Sequence, residues 1–434
     1  MKQAIKVFKF GGASIKNADA VKNVTNILKT FSDQRLVIVV SAMGKTTNAL
    51  EEVVDAHKEN TGKAVELLNA IKLQHYQICE ALFGPEHEIY ASVNDTFVEV
   101  EWVLEDLPHE NYDYMYDQIV SVGELVSSKI VQAYLNKEGL PTQWLDARDV
   151  ILTDDIFREG WVQWDETMER AERLAKPMTQ QPGFVLTQGF IGSTTENFTT
   201  TLGREGSDYT AAIFSFCLDA ESMTIWKDVP GVLTADPRLF DHVTKIDRLS
   251  YREAIEMTYY GAKVIHPKTI KPLQNKSIPL YVKSFIEPEG EGTFISLEVD
   301  DTYPPMVAVE QNQALLQIST RDFSFVAEHH MSLLFKLIAD LRMQVNMMQN
   351  TAISFVVCVN DIDDKVDTFI ERVQTDFKVI LDRDLELITV RHFQKNVLEN
   401  LRRGKIILLE ERLRNTVQMV ARDVPVMQRK AKQD

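Results

Sequence analysis

Five stretches limit what this chain can fold into: IKVFKF (5–10), RLVIVVSA (35–42), GFVLTQGF (183–190), MTIWKDV (223–229) and IPLYVKSF (278–285). Several are near-continuous β-branched runs, the pattern of strands buried on both faces of a sheet. Helical periodicity fills the gaps, as in 18–31 and 209–218. Strands alternating with helices predict an α/β layered domain around a mostly parallel sheet. Residues 48–138 break the alternation. They are helix-patterned almost throughout, as in KAVELLNAIKLQHYQICEALF, and predict a helical insertion standing on the sheet domain.

Near 286–304 the texture changes to EPEGEGTFISLEVDDTYPP, rich in Glu, Gly and Pro. This is the expected exit from the first domain, with a boundary near 300. Beyond it come MVAVEQN, ALLQIST, a helix over 324–342, QVNMMQN, AISFVVCV, a helix over 361–377 and ELITVRHF. That β-α-β-β order predicts a small ferredoxin-like sandwich. Residues 385–423 carry elements for a second, less complete unit.

The net charge is −17 and the sequence pI about 5.1, which disfavours nucleic acid or an anionic membrane as partner. Any anionic substrate must be met by local positive charge. Cys79, Cys217 and Cys358 stand far apart in apolar settings, without CxxC or Cys/His spacing. They read as buried free thiols in a reducing compartment, and no metal-ligating set is assigned. The N-terminus MKQAIKVFKFGG lacks the apolar core of a signal peptide, and no run of about 18 apolar residues is present. The expectation is a soluble, cytoplasmic protein.

Six stretches concentrate chemistry at the ends of strands or helices. KFGGAS (9–14) follows a strand; its glycines allow backbone N–H groups to approach an anion, or serve only a tight turn. VVSAMGKTTN (39–48) lacks the first glycine of a Walker A loop, Val39 standing there, so it is not a P-loop. It offers hydroxyls and amides where ligands of open α/β sheets sit, or a polar turn with Thr47 or Asn48 as cap. In SVGELVSSK (121–129) Glu124 is crowded by apolar neighbours and wants a cationic partner, for which an ammonium group would serve. TLGREGSD (201–208) sets Ser207 or Asp208 to cap a helix over 209–218, and leaves Arg204 as a planar fork suited to a carboxylate. KDVPGVLTADPR (227–238) follows another strand. YYGAKVIHPKTI (259–270) places Lys263 and His266 at a helix end, His266 reading as structural.

Together, and in this order, these six stretches resemble the aspartate kinases of the amino-acid kinase superfamily over residues 5–296, and the remainder resembles their paired ACT domains. The resemblance implies a three-layer α/β sandwich with a mostly parallel central sheet and helical insertion (1–300), followed by two ferredoxin-like ACT domains (301–434). It implies transfer of the ATP γ-phosphoryl group to the β-carboxylate of L-aspartate, with Mg²⁺, opening the route to lysine, threonine and methionine. By match to the family's motifs, Lys9, Gly11, Gly12 and Ser14 would approach the phosphates. Ser41, Thr47, Glu124, Arg204 and Ser207 would hold aspartate. Asp208 would organise Lys9, and Lys227, Asp228, Arg238 and Lys263 would lie at the nucleotide. An amino-acid effector bound by the ACT domains, near Asn346, and a homodimer or homotetramer formed through them are also implied.

There are departures. Ala13 and Glu205 replace the usual threonine and glycine of KFGGTS and RGGSD, while Lys227 and Leu233 stand where threonine and tyrosine are common. In lysine-sensitive relatives an aspartate stands at the position of Asn346, which cannot neutralise a lysine ammonium as Asp would. Two rivals are weighed: a kinase for another carboxylate or carbamate, and a catalytically silent amino-acid sensor. A fused homoserine dehydrogenase is not expected at this length.

Overall fold

The computed structural model describes residues 4–262, 265–297, 302–322, 324–362 and 364–424. Its residues divide into two units. The first comprises 4–232, 245–255 and 265–297; the second comprises 233–244, 256–262 and 302–424.

The first unit is built on strands β1 (Ile5–Phe10), β2 (Arg35–Val40), β3 (Thr142–Leu145), β4 (Phe184–Gln188), β7 (Ser222–Lys227), β8 (Arg248–Ser250), β9 (Leu280–Ser284) and β10 (Thr293–Ser296), with a side hairpin of β5 (Ile191–Ser193) and β6 (Thr199–Thr201). The sheet order is β3-β4-β2-β1-β7-β9-β10-β8, and every neighbouring pair is parallel except β9–β10. The β-branched runs have the expected consequence: five of the six residues of RLVIVV are buried. Alternation along β2 sends Leu36, Ile38 and Val40 into a cluster with α1 (Ala18–Lys29) and the insertion helices. Val37 and Val39, also buried, face the opposite layer.

The insertion consists of α2 (Thr46–Lys58), α3 (Ala64–Phe83), α4 (Ile89–Glu105), α5 (Tyr112–Val120) and α6 (Val122–Lys137). Its buried faces join the same cluster as α1. The opposite layer holds α7 (Gly206–Cys217), packed on β1, β2 and β7, and α8 (Pro267–Asn275), packed on α7. Asn17 caps α1 by accepting the Ala20 N–H at 2.9 Å. The three cysteines are buried and free.

The second unit holds a six-stranded antiparallel sheet in the order β12-β13-β11-β14-β16-β15. Its elements follow as β11 (Met306–Thr320), α9 (Glu328–Asp340), β12 (Val345–Asn350), β13 (Ser354–Asn360), α10 (Lys365–Val373), β14 (Phe377–Arg391), α11 (Lys395–Arg402), β15 (Lys405–Arg412) and β16 (Thr416–Asp423). The first six make one β-α-β-β-α-β unit. The last three are completed by the ends of β11 and β14, which slip register between Glu310 and Gln313 and so serve both halves. Both helices of the first half are shorter than their periodicity predicts. The Thr320 hydroxyl on the Ser324 carbonyl and the Asp322 carboxylate on the Ser324 N–H hold that stretch in a turn. Asp361 donates its N–H to Asn312 and stays with the strands, while Phe377 opens β14.

Candidate active site

The carboxyl ends of β4, β2, β1 and β7 lie side by side at the middle of the parallel sheet. That edge is where open α/β sheets receive ligands. Three of the loops leaving it are tied to one another. Ser41 donates its N–H to the Phe10 carbonyl (3.1 Å), Gly44 to Gly12 (3.0 Å) and Gly189 to Val40 (2.8 Å). Two glycines are there for space. A Cβ on Gly12 would meet the Ala42 and Gly44 carbonyl oxygens at 2.8 and 2.9 Å, and one on Gly189 would lie 2.4 Å from the Ser207 Cβ.

Lys9 shares a face of β1 with Val7, toward α7. Its Nζ lies 2.5 Å from Asp208 Oδ1, with both side chains largely buried. Burial alone would raise the Asp208 carboxyl, but the Lys9 charge, then Lys227, hold it below the usual carboxylate range, with His266 adding a smaller pull. Gly11 lies beside the same ammonium, its would-be Cβ 3.3 Å from Lys9 Nζ. The Ser14 hydroxyl is spent within its own turn, on the Gly11 carbonyl at 2.6 Å.

Glu124, on the first turn of α6, is buried. Burial pushes its carboxyl up to about 8, against the opposing pulls of the Ala42 backbone hydrogen bond and the Lys9 charge. Its Oε2 has no hydrogen-bond partner among the described residues. An isolated buried carboxyl oxygen is costly, and a ligand's ammonium would satisfy it. One turn on, the Ser127 hydroxyl reaches the Ser41 carbonyl at 2.6 Å, so α6 also pins the Ser41 loop. Ser41 is half-buried, and Thr47 lies half-buried in the first turn of α2.

The TLGREGSD stretch differs from expectation. Helix α7 starts at Gly206 rather than Tyr209, so Ser207 and Asp208 lie inside its first turn and cap nothing. The Asp208 carboxylate is engaged by Lys9 instead of by the helix's free N–H groups. The N-cap residue is Glu205, whose backbone is left-handed (φ 53°) and whose side chain makes no cap hydrogen bond. Arg204 is exposed and in no ion pair among the described residues. Lys227 ends β7 within the field of Asp208, and Asp228 follows it, exposed. Arg238 lies in the second unit, forked onto Asp236 at 3.0 and 2.6 Å. Lys263 lies outside the described residues. The His266 Nδ1 accepts the Lys268 N–H at 3.2 Å and caps α8, a structural role.

Comparison with known proteins gives this edge a family. The profile of the amino acid kinase family matches residues 4–284. The lysine-sensitive aspartokinase 3 of Escherichia coli is 33% identical over 363 residues, covering 82% of this chain and 78% of the relative. The chain belongs to the aspartokinases of the amino acid kinase family. Aspartokinase 1 of Arabidopsis thaliana chloroplasts is also 33% identical, covering 80% of this chain and 62% of that protein. The crystal structure of E. coli aspartokinase III with aspartate and ADP superposes with a TM-score of 0.82 at 27% identity, over 96% of both chains.

Three residues that motif reading did not single out support the candidate site. Ser127 and Gly189 brace two of its loops, and Asp117 on α5 supports the base of the Arg204 loop. Gly189 carried a signal, a glycine directly after a strand. Ser127 sits inside SVGELVSSK behind the more conspicuous Glu124, and Asp117 sits in ordinary helical text.

Proposed function

We propose that the enzyme transfers the γ-phosphoryl group of ATP to the β-carboxylate of L-aspartate with the residues gathered at this edge. A carboxylate oxygen attacks the γ-phosphorus, the bond to the β–γ bridging oxygen breaks, and ADP leaves with that electron pair as 4-phospho-L-aspartate forms. The nucleophile is already ionised near neutral pH, so no general base is required. The obstacle is bringing one anion against another. Lys9 and the Gly11–Gly12 amides would neutralise charge on the phosphates, with Asp208 holding the ammonium in place. Mg²⁺ would enter on the nucleotide as part of the substrate.

Glu124 would accept the α-ammonium while Arg204 forks onto the α-carboxylate, and Ser41, Thr47 and Ser207 would complete the aspartate site. Ser14, Lys227, Asp228, Arg238 and Lys263 would serve the nucleotide. The observation that carries the reading is the buried Glu124 oxygen without a partner, beside the Lys9–Asp208 pair. A carbamate kinase has no α-ammonium to place and a silent sensor no phosphate to neutralise, while a kinase for another carboxylate is separated by the substrate it turns over. The test is aspartate-dependent ADP formation, trapping the acyl phosphate as its hydroxamate. Hydroxamate formation supports the reading, and ADP formation without hydroxamate would sink it.

The second unit would be the regulatory part, a pair of ACT domains that bind an amino-acid effector and join copies into a dimer or tetramer. E. coli aspartokinase III has been crystallised with lysine and aspartate. Here Asn346 donates to Gln313 Oε1 (2.8 Å) and Asn360 Oδ1 (2.6 Å), and Gln313 donates to the same Asn360 oxygen (2.8 Å). This amide cluster carries no charge to meet a lysine ammonium. No described helix is long and apolar enough to cross a membrane, and the proposed location is the cytoplasm.

A further inference from the structure

Asp117, on α5 of the insertion, is fully buried yet takes no part in the chemistry above. Its Oδ2 accepts two backbone N–H groups, those of Arg158 (2.9 Å) and Thr201 (2.9 Å), and its Oδ1 accepts the Thr201 hydroxyl (2.7 Å). One carboxylate thereby joins a helix, the 154–161 loop and the last residue of β6. The other bonds at this junction run the same way. The Thr201 carbonyl takes the Gly160 N–H (2.9 Å), and the next residue, Leu202, donates to the Phe190 carbonyl (2.8 Å). Arg158 returns the loop to the insertion. Its guanidinium lies 4.2 Å from the Tyr116 ring centroid, 3.5 Å from Asp113 and 3.7 Å from Glu51. Its backbone is left-handed, φ 67°, a conformation that the surrounding contacts must hold.

Two residues beyond Leu202 stands Arg204. We propose that Asp117 is a positioning residue for aspartate binding, which makes the helical insertion a working part of the substrate clamp. The inference rests on the reading of Arg204 as the fork for the α-carboxylate. Removing the carboxylate would leave two backbone N–H groups and a hydroxyl without their acceptor, freeing the strand that leads into Arg204. Lys9 lies on β1, outside this junction, so the nucleotide end should be little affected.

Burial raises the Asp117 carboxyl to about 6, against the hydrogen bonds from Arg158 and Thr201 and the Arg158 charge. Arg158, from the 154–161 loop, is the cation facing it, and shares its charge with Glu51 on α2 and Asp113 on α5. Once protonated, the carboxyl becomes a donor and cannot accept all three bonds. The KM for aspartate should therefore climb as pH falls through this range.

The experiment is steady-state kinetics of the full chain with MgATP and aspartate, for wild type, Asp117→Ala, Asp117→Asn and Arg204→Ala. Asp117→Ala is expected to raise the aspartate KM about tenfold or more, with kcat and the ATP KM close to wild type. Asparagine, like the protonated acid, keeps one acceptor oxygen for the N–H groups and turns a donor toward the Thr201 hydroxyl, so it stands in for the protonated state at every pH. Asp117→Asn should raise the aspartate KM several-fold over wild type at about pH 7.5 and converge on wild type at about pH 5.5, because it cannot titrate. Taking the ratio of the two KM values at each pH cancels the titration of Glu124, common to both proteins.

Equal rises in both KM values, a fall in kcat alone, or an Asn variant that follows the wild-type pH profile would overturn the proposal. Should Asp117→Ala fail to fold, the Asn ratio decides by itself. An unchanged aspartate KM in Arg204→Ala would instead overturn the clamp reading. A raised KM there with an unaffected Asp117→Ala would overturn this inference alone.

Discussion

The two units bury polar groups in opposite ways. At the parallel-sheet edge of the first, the buried groups are ionisable: Lys9 against Asp208, and Glu124 with one oxygen unmet. In the antiparallel sheet of the second, the described buried polar side chains are uncharged, among them Gln313, an amide bonded to Asn346 and Asn360. A buried charge is retained at a cost and points to chemistry. A satisfied amide cluster fixes strand register without asking for a ligand's charge. The contrast fits ionic substrates at the first sheet.

The largest effect should come from the charged pair. Lys9→Met is expected to lower kcat by about a hundredfold to a thousandfold, read by hydroxamate formation, since it removes a charge aimed at the transferring phosphate. A kcat near wild type would erase the contrast between the units. Next comes Glu124. Below about pH 8 its carboxyl is protonated in the free enzyme, and a substrate ammonium selects the ionised form, so aspartate binding near neutral pH should release close to one proton. Calorimetry in two buffers of different ionisation enthalpy would measure this, and Glu124→Gln should release none.

The same group sets a stability slope. Its folded pKa lies above the unfolded value, so the stability tied to its neutral form is complete below the unfolded pKa and is lost as pH rises through about 8. Without aspartate, the melting temperature of the wild type should therefore fall more steeply than that of Glu124→Gln between about pH 5 and pH 8, and run parallel to it above.

Smaller effects follow. Glu205→Gly should relieve the left-handed backbone and stabilise the protein by about 1 kcal/mol, seen as a higher melting temperature. A lower one would mean that the carboxylate contributes more than its backbone costs. The smallest change is expected in the second unit, where Asn346→Asp should leave kcat without effector within about twofold while introducing inhibition by lysine. If wild type is already strongly inhibited by lysine, the amide cluster does not exclude that ligand, and the comparison between the units fails.

The layered fold was legible because doubly buried strands need unbroken β-branched runs. IKVFKF is β1 residue for residue. The short strands β8 and β10 were not legible, since three or four residues carry no usable period. The glycine-rich stretches announced the loops because close backbone approach, as at Gly12, excludes other residues. Asp117 could not be read. In DYMYDQIV an aspartate has the text of a solvated helix position, and only the chain's return at 158 and 201 surrounds it with donors. The start of α7 was misread for a related reason. Ser and Asp before a helix look like caps, and nothing local tells that Asp208 is held by a lysine on a distant strand.

The bond from Gly44 to Gly12 joins the two loops proposed for the substrates like a hinge pin. The loop assigned to phosphate and the loop assigned to aspartate cannot settle independently, because each fixes a backbone group of the other. Whatever factor by which bound nucleotide sharpens the affinity for aspartate, aspartate must return to the nucleotide in equal measure. The order in which the substrates arrive can then change the speed of assembly but not the stability of the ternary complex.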